Sequence, residues 1–459
     1  MPDINQAQPP LEFIPAQYTP WFHNLAKTCL PNWMRWKTAI TKVDAENVEL
    51  LANLYHEFQN CRIRLIFAFR HPKVEDPLCI SYLLSHILPS IAKEKKIPLR
   101  PPLHTHFIYD RGIPLWAGSQ FGWVLSHLGG TPIQRGKADW TGLRAARDLF
   151  VNGRFPMTAA PEGATNGLSE VMSPFEPGIA QLAFWCAEDL QKAGRNEDVV
   201  IVPIGIKYSY VDEPWEAIAT LLSELEAATG LLVKESKEKS LKTLYPRLLE
   251  VAERFLFVME DFYTRFYHQK ITLNRNSENL PVDRNEAIAI RLQALLDTIL
   301  KVPEEYFDLQ AKGNLADRCR RVEQAGWNYI FREELKDEKS LSAVEKYLSD
   351  KVAEEANSIM WHMRLVESFV AVSGKYVKEK PTSERFAETT ILIWDILTKI
   401  KGGNAFVRPI LGKQQVKITI GEPLSLSKRY EVYKSSRLAA RQAVGDLTKD
   451  LEIAMKKLL

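Results

Sequence analysis

His71 and Asp76 stand in the order H-x-x-x-x-D, directly after the mostly apolar run Ile63–Phe69. A strand-to-helix turn at that point would set both side chains at the carboxyl edge of a sheet, where open α/β folds bind ligands. If the intervening residues turn back, Asp76 holds one ring nitrogen of His71 and leaves the other as a proton acceptor. The pair alone is ordinary. With nine histidines and Asp at roughly 5–6% of residues, about half a match per chain arises by chance. Further blocks follow it. Gly129-Gly130-Thr131-Pro132-Ile133-Gln134-Arg135 joins a glycine pair, which permits close backbone approach, to an arginine able to grip a phosphate with two prongs. Pro161-Glu162-Gly163-Ala164-Thr165-Asn166 ends a strand-like run, and Phe175-Glu176-Pro177-Gly178 comes soon after. Ile201-Val202-Pro203-Ile204 puts a proline inside an apolar strand, a position that usually marks an edge or a bulge.

The elements that must position these blocks alternate. Ile63–Phe69 and the β-branched Val199–Ile206 read as buried strands, Leu103–Tyr109 and Phe155–Ala160 as two more. Pro77–Lys93 carries apolar residues at helical intervals. A second helix is capped by Asp139 and stops at Gly153, and a third runs Pro177–Lys192. Strand, helix, strand, helix predicts an α/β fold with a largely parallel central sheet flanked by helices. Residues 212–403 change character. Leu241, Leu244, Leu248, Ala252, Phe255 and Met259 mark a long helix, Asp283 and Glu286 resemble a capping box, and strand signals are scarce. Val416–Ile420 then alternates strictly before Gly421-Glu422-Pro423. The expected organisation is an aromatic and basic segment 1–45, an α/β core 46–211, an all-helical insertion 212–403, a closing strand of the core 404–427 and an amphipathic helix 428–459.

The ordered set resembles the PlsC-like glycerolipid acyltransferase family. His71 and Asp76 match its first motif; Gly130, Ile133 and Arg135 its second; Pro161, Glu162 and Gly163 its third; Val202 and Pro203 its fourth. Phe175, Gly178, Leu182 and Ala183 match a later run, and Val416–Pro423 resembles the closing strand. The resemblance implies that His71 is a general base oriented by Asp76. Arg135 would hold an acceptor phosphate, Glu162 and Gly163, with Gly130 nearby, would shape the acceptor pocket, and Pro203 would line an acyl channel. It implies an acyl carrier protein or coenzyme A thioester as co-substrate, no cofactor, and lysophosphatidate as acceptor. The third block departs from the family's Thr-Arg-Ser, which is Ala164-Thr165-Asn166 here. That departure keeps glycerol 3-phosphate, a lysoglycolipid, or a non-catalytic lipid-binding role as alternatives; Arg154, Lys137 or Arg144 would be substitutes for the missing cation.

Composition narrows the classes. The net charge of +3 gives no global reason to expect nucleic acid. Five widely spaced cysteines without C-x-x-C give neither a zinc nor a disulfide pattern and fit a reducing compartment. No secretory signal is expected, since the first basic residue is Lys27. His104 and His106 would share a strand face, but no third residue completes a metal set. Cys79 reads as a buried thiol rather than a nucleophile. The uncharged stretch Gly112–Gln134 is long enough to span a bilayer, yet its five glycines and two prolines point to a buried helix. Trp21, Trp33 and Trp36, interleaved with Lys27, Arg35 and Lys37, either lie in a membrane interface or pack on the core. The expected location is cytoplasmic and peripheral, at an anionic lipid surface.

Overall fold

The computed structural model describes residues 5–134, 139–234, 237–272, 283–336, 341–372, 374–405 and 407–459. Two compact units emerge: Glu12–Gln134, Ala138–Val211 and Lys413–Leu459 form one, and Asp212–Gly412 with the residues up to Leu11 forms the other.

The first unit is a mixed α/β layer structure. In chain order it runs α1 (Pro20–Lys37), β1 (Ile40–Glu46), α2 (Val48–Gln59), β2 (Ile63–Phe69) and α3 (Asp76–Tyr82). A π turn, Leu83–Ile87, joins α3 to α4 (Leu88–Glu94). Then come β3 (His106–Asp110), α5 (Ile113–Ala117), α6 (Ser119–His127), β4 (Gly130–Ile133), α7 (Trp140–Asn152), β5 (Met157–Ala159), α8 (Gly178–Lys192) and β6 (Asp198–Tyr210). The strand order is β1-β7-β6-β2-β5-β3-β4, where β7 is Gln414–Ile420; β8 (Leu424–Ser425) also pairs with β6. β2 lies parallel between β5 and β6, and β3 parallel between β4 and β5. β1 and β7 are parallel, whereas β7 and β8 run antiparallel to β6. The sheet is therefore mostly parallel, and its inner strands β2 and β6 are buried on both faces, as their unbroken apolar runs require.

The two faces of β2 carry separate cores. Leu65, Phe67 and Phe69 pack with residues of α1, α2, α3 and α4, while Ile66 and Ala68 pack with α7, α8 and the C-terminal helix α17 (Arg437–Lys456). Asp139 caps α7 as its residue type suggests, accepting from the Gly142 amide, and the helix ends at Gly153. Pro203 is tolerated in the middle of β6 for a visible reason. Its carbonyl accepts from Gly421 N at 2.9 Å, so its missing N–H would face the same side. That side faces the connection from β7 to β8 at Gly421, beyond the paired residues of both strands.

Several details differ from the sequence expectation. The sheet begins at Ile40, inside the stretch read as an N-terminal segment, because Ile40 and Lys42–Glu46 pair with β7 as an edge strand. The uncharged stretch Gly112–Gln134 is not one buried helix. Gly118, at φ +100°, breaks it into α5 and α6, and Phe121 and Trp123 are exposed. Among the described residues no helix is long and apolar enough to cross a membrane. On α1 the buried side chains are His23, Leu30 and Met34, and the tryptophans face outward: Trp21 is 62% exposed, Trp33 55% and Trp36 80%. The C-terminal segment is two helices, α16 (Ser427–Tyr433) and α17.

The second unit is helical, with α9 (Trp215–Ala228), α10 (Leu241–Phe266), α11 (Arg284–Tyr306), α12 (Leu315–Ile330), α13 (Ala343–Glu367), α14 (Tyr376–Glu379) and α15 (Ser383–Ile400). Asp283 caps α11 through the Asn285 and Glu286 amides. Buried ion pairs Arg247–Glu226 and Arg318–Glu304 tie neighbouring helices together.

Candidate active site

His71 lies just beyond the carboxyl end of β2 and Asp76 is the first residue of α3. The intervening turn brings the imidazole back onto the carboxylate, with His71 Nδ1 to Asp76 Oδ2 at 3.0 Å. The same oxygen accepts the Lys73 amide at 2.7 Å, which pins the turn. Asp76 is fully buried while the His71 side chain is 20% exposed. With Nδ1–H donated to the carboxylate, Nε2 keeps its lone pair as an acceptor. A fixed tautomer with a free acceptor nitrogen is what proton abstraction from a bound hydroxyl requires.

A third residue completes the arrangement. The Tyr208 hydroxyl, on β6, donates to Asp76 Oδ1 at 2.5 Å. Burial, and then the adjacent Asp76 charge, pushes the phenol well above its ordinary value, so it stays protonated and remains a donor. Lys73 lies over the Tyr208 ring, 4.2 Å from its centroid, and its Nζ donates to Gln414 Oε1 on β7 at 2.7 Å. Cys79 is close by, its sulfur 3.8 Å from the Tyr208 hydroxyl. Burial and the Asp76 charge raise the thiol pKa, which opposes thiolate formation and leaves Cys79 a packing residue.

The backbone of His71 is held from below. Glu162 is 2% exposed, and its Oε1 accepts both the His71 amide and Arg70 Nη1, each at 3.1 Å. Its Oε2 accepts the Ser173 amide at 2.9 Å. Arg70 is wholly buried and reaches the Leu168 carbonyl at 2.6 Å and the Val171 carbonyl. Asn166, standing where the resembled motif has its serine, donates to the same Val171 carbonyl at 2.7 Å. The segment 161–173 is thus a hydrogen-bonded brace around one carboxylate. Glu162 is engaged by these bonds, so it shapes the surroundings of His71 through the residues it holds.

The other candidates fall as follows. Gly163 adopts φ +72°, and a Cβ there would come within 2.0 Å of the Glu176 carboxylate, so glycine is needed for this turn. Gly130 opens β4, where a Cβ would meet the Phe107 ring at 2.4 Å. Packing against Phe107 therefore requires glycine there. Pro203 is buried against Gly421 at the seam described above. Arg135 and Lys137 lie outside the described residues. Arg154 precedes β5 and therefore stands at the amino edge, away from His71, so it does not replace the missing cation of the third block. His104 and His106 each bond a carbonyl, Leu128 O at 2.7 Å and Gly129 O at 3.0 Å. Among the described residues no group of three or more potential ligands forms a metal site.

Residues 42–207 match the family described as Acyltransferase. No curated protein and no solved structure matches the chain.

Proposed function

We propose, from a chain whose residues 42–207 form an acyltransferase-family domain, that the protein moves a fatty acyl group from a thioester to the hydroxyl of a lysophospholipid, with lysophosphatidate as the acceptor. The observation that carries this reading is the His71–Asp76–Tyr208 chain at the carboxyl edge of β2, with Glu162 fixing the His71 backbone. His71 Nε2 takes the proton of the acceptor hydroxyl as its oxygen attacks the thioester carbonyl. Asp76 stabilises the imidazolium that forms. The tetrahedral intermediate collapses, the C–S bond breaks, and the imidazolium returns its proton to the departing thiolate. An ester and a free thiol result, with no covalent acyl-enzyme. The thiol belongs to coenzyme A or acyl carrier protein, and no cofactor enters the balance.

The protein works at a membrane face in this reading. The outward Trp21, Trp33 and Trp36 of α1 are accompanied by Lys27, Arg35 and Lys37, and Phe22 of the same helix packs on the exposed Trp123 at 5.1 Å. Indole rings beside lysine and arginine suit the headgroup layer of an anionic bilayer.

The test is transfer of labelled acyl group from acyl-coenzyme A or acyl carrier protein to lysophosphatidate, glycerol 3-phosphate and a lysoglycolipid. Transfer to lysophosphatidate that is lost in His71→Ala supports the proposal. Transfer only to another acceptor replaces lysophosphatidate, normal turnover by His71→Ala removes the base, and vesicle binding without turnover on any acceptor favours a lipid-binding protein on this fold.

A further inference from the structure

A second site lies at the opposite edge of the sheet. An open cavity of about 570 Å³ sits where Leu103 leads toward β3 and Arg154 leads toward β5. His71 follows the far end of β2, which runs parallel to these strands through β5, so the cavity is separated from it by the length of the sheet. The volume falls within the usual span of small-molecule sites.

Its wall is charged in one sense. Lys27 of α1, Lys93 of α4 and Arg154 line it, and among the described residues no Asp or Glu does. The positive field reaches the groups around it. His23, on the same wall, is held below its ordinary pKa by burial first and by Lys27 second. His86 is lowered in the same order by the same two causes. Arg154 acts in the opposite sense on the phenols of Tyr18 and Tyr55, opposing the rise that burial gives them. The rest of the wall sets apolar Leu84, Ile97, Leu99 and Leu103 beside the polar Tyr18, Asn24 and Ser85. Leu84 and Ser85 belong to the π turn that interrupts the α3–α4 helix. Such turns occur often at functional sites, because the extra residue displaces backbone that would otherwise close the groove.

We propose that this cavity binds an amphiphilic phosphate ester, its phosphate among Lys27, Lys93 and Arg154 and its apolar part along Leu84, Ile97 and Leu103. Cations of both kinds suit a phosphate, arginine by its fork and lysine by its three donors. A small inorganic anion would leave the apolar wall unused. The assignment is independent of the chemistry at His71.

Decyl phosphate below its micelle concentration is titrated calorimetrically into the full-length protein, with inorganic phosphate and decanol as separate arms. Saturable binding of decyl phosphate at one site is expected, weakened about tenfold or more by Lys27→Ala/Arg154→Ala and unchanged by His71→Ala or by Lys449→Ala on α17. Both cavity cations are exposed at the wall, so their removal leaves the core intact. Displacement by phosphatidate vesicles identifies a lipid as the source of the ester, and displacement by coenzyme A identifies a soluble one. Displacement by neither overturns the assignment, as do equal affinity for inorganic phosphate or for decanol, the absence of binding, and binding that the double variant leaves unchanged.

Discussion

Tyr208→Phe removes one oxygen from the interior and nothing else, which makes it the sharpest probe of the site. Asp76 is fully buried, and three donors reach its carboxylate: His71 Nδ1 and the Lys73 amide on Oδ2, Tyr208 on Oδ1. Deleting the phenol leaves Oδ1 of a buried carboxylate without that donor. A hydrogen bond to a charged group contributes about 1.5–3 kcal/mol, so the folded state loses stability of that order. The carboxylate recovers part of the loss by turning toward another donor, and any turn weakens its hold on His71. If about 1.4 kcal/mol is traded this way, the correctly oriented fraction, and with it kcat, falls about tenfold. KM for both substrates should stay near its original value, because Tyr208 is only 2% exposed and offers them almost no surface. The assay is the initial rate of acyl transfer beside thermal unfolding, with Tyr55→Phe as the control. Tyr55 is equally buried and donates to the His104 carbonyl at 2.8 Å, on the side of the unit away from His71. Its variant should lose stability and keep kcat. If Tyr208→Phe keeps kcat within about twofold while unfolding like Tyr55→Phe, the phenol only packs, and its place in the catalytic chain is refuted.

Acid should destabilise the protein before its carboxylates titrate. Burial, aided by the neighbouring His23 and His106, lowers His104 to about 3, and burial lowers His362 of α13 to about 4. Both folded values lie below the ordinary 6.5, so their contribution is complete above pH 6.5 and is lost as the pH falls toward 3 for His104 and 4 for His362. The unfolded chain takes protons in that window that the folded chain refuses, at roughly 1.4 kcal/mol per pH unit for each histidine. Unfolding free energies from urea titrations at pH 7 and pH 5 should therefore differ by about 2 kcal/mol per buried histidine, each in its own unit, and unchanged values would contradict the burial. At the membrane face, Trp33→Ala/Trp36→Ala should leave folding intact, since both side chains are more than half exposed. Each indole seated in a bilayer contributes on the order of 1.5–3 kcal/mol, so flotation with anionic vesicles should drop by more than tenfold. Undiminished flotation would move the lipid contact elsewhere.

Local rules carried the sequence reading as far as local rules extend. β2 occupies Ile63–Phe69 because an apolar run of that length between turn residues has one good solution, and α7 starts at its Asp139 cap and stops at Gly153. His71 and Asp76 were legible because both partners lie in one turn, five positions apart. What escaped depends on distant chain. β1 is an edge strand whose place is set by β7, more than 370 positions later in the chain, and its half-exposed pattern gave no apolar run to read. The Trp face of α1 satisfied helical spacing in either orientation; only the packing of His23, Leu30 and Met34 decides which side is inward.

Tyr208 had a signal of its own. Val202, Ile204, Ile206 and Tyr208 alternate along one face of β6, so period two puts the phenol in the same core as Phe69. A tyrosine buried among aliphatic residues needs a partner for its hydroxyl. The nearest unexplained buried acceptor is the carboxylate that the H-x-x-x-x-D turn carries inward. Glu162 shows the converse. Its motif position resembles a ligand contact in sequence, yet the carboxylate accepts from Arg70, the His71 amide and the Ser173 amide at once. Such an acid is saturated by its own chain and acts on a substrate only through the residues it holds. Residues that face a ligand and residues that hold the facing ones carry the same sequence signal. Hydrogen-bond saturation separates them, and here it puts Glu162 and Tyr208 in the second group and leaves His71 as the candidate for the first.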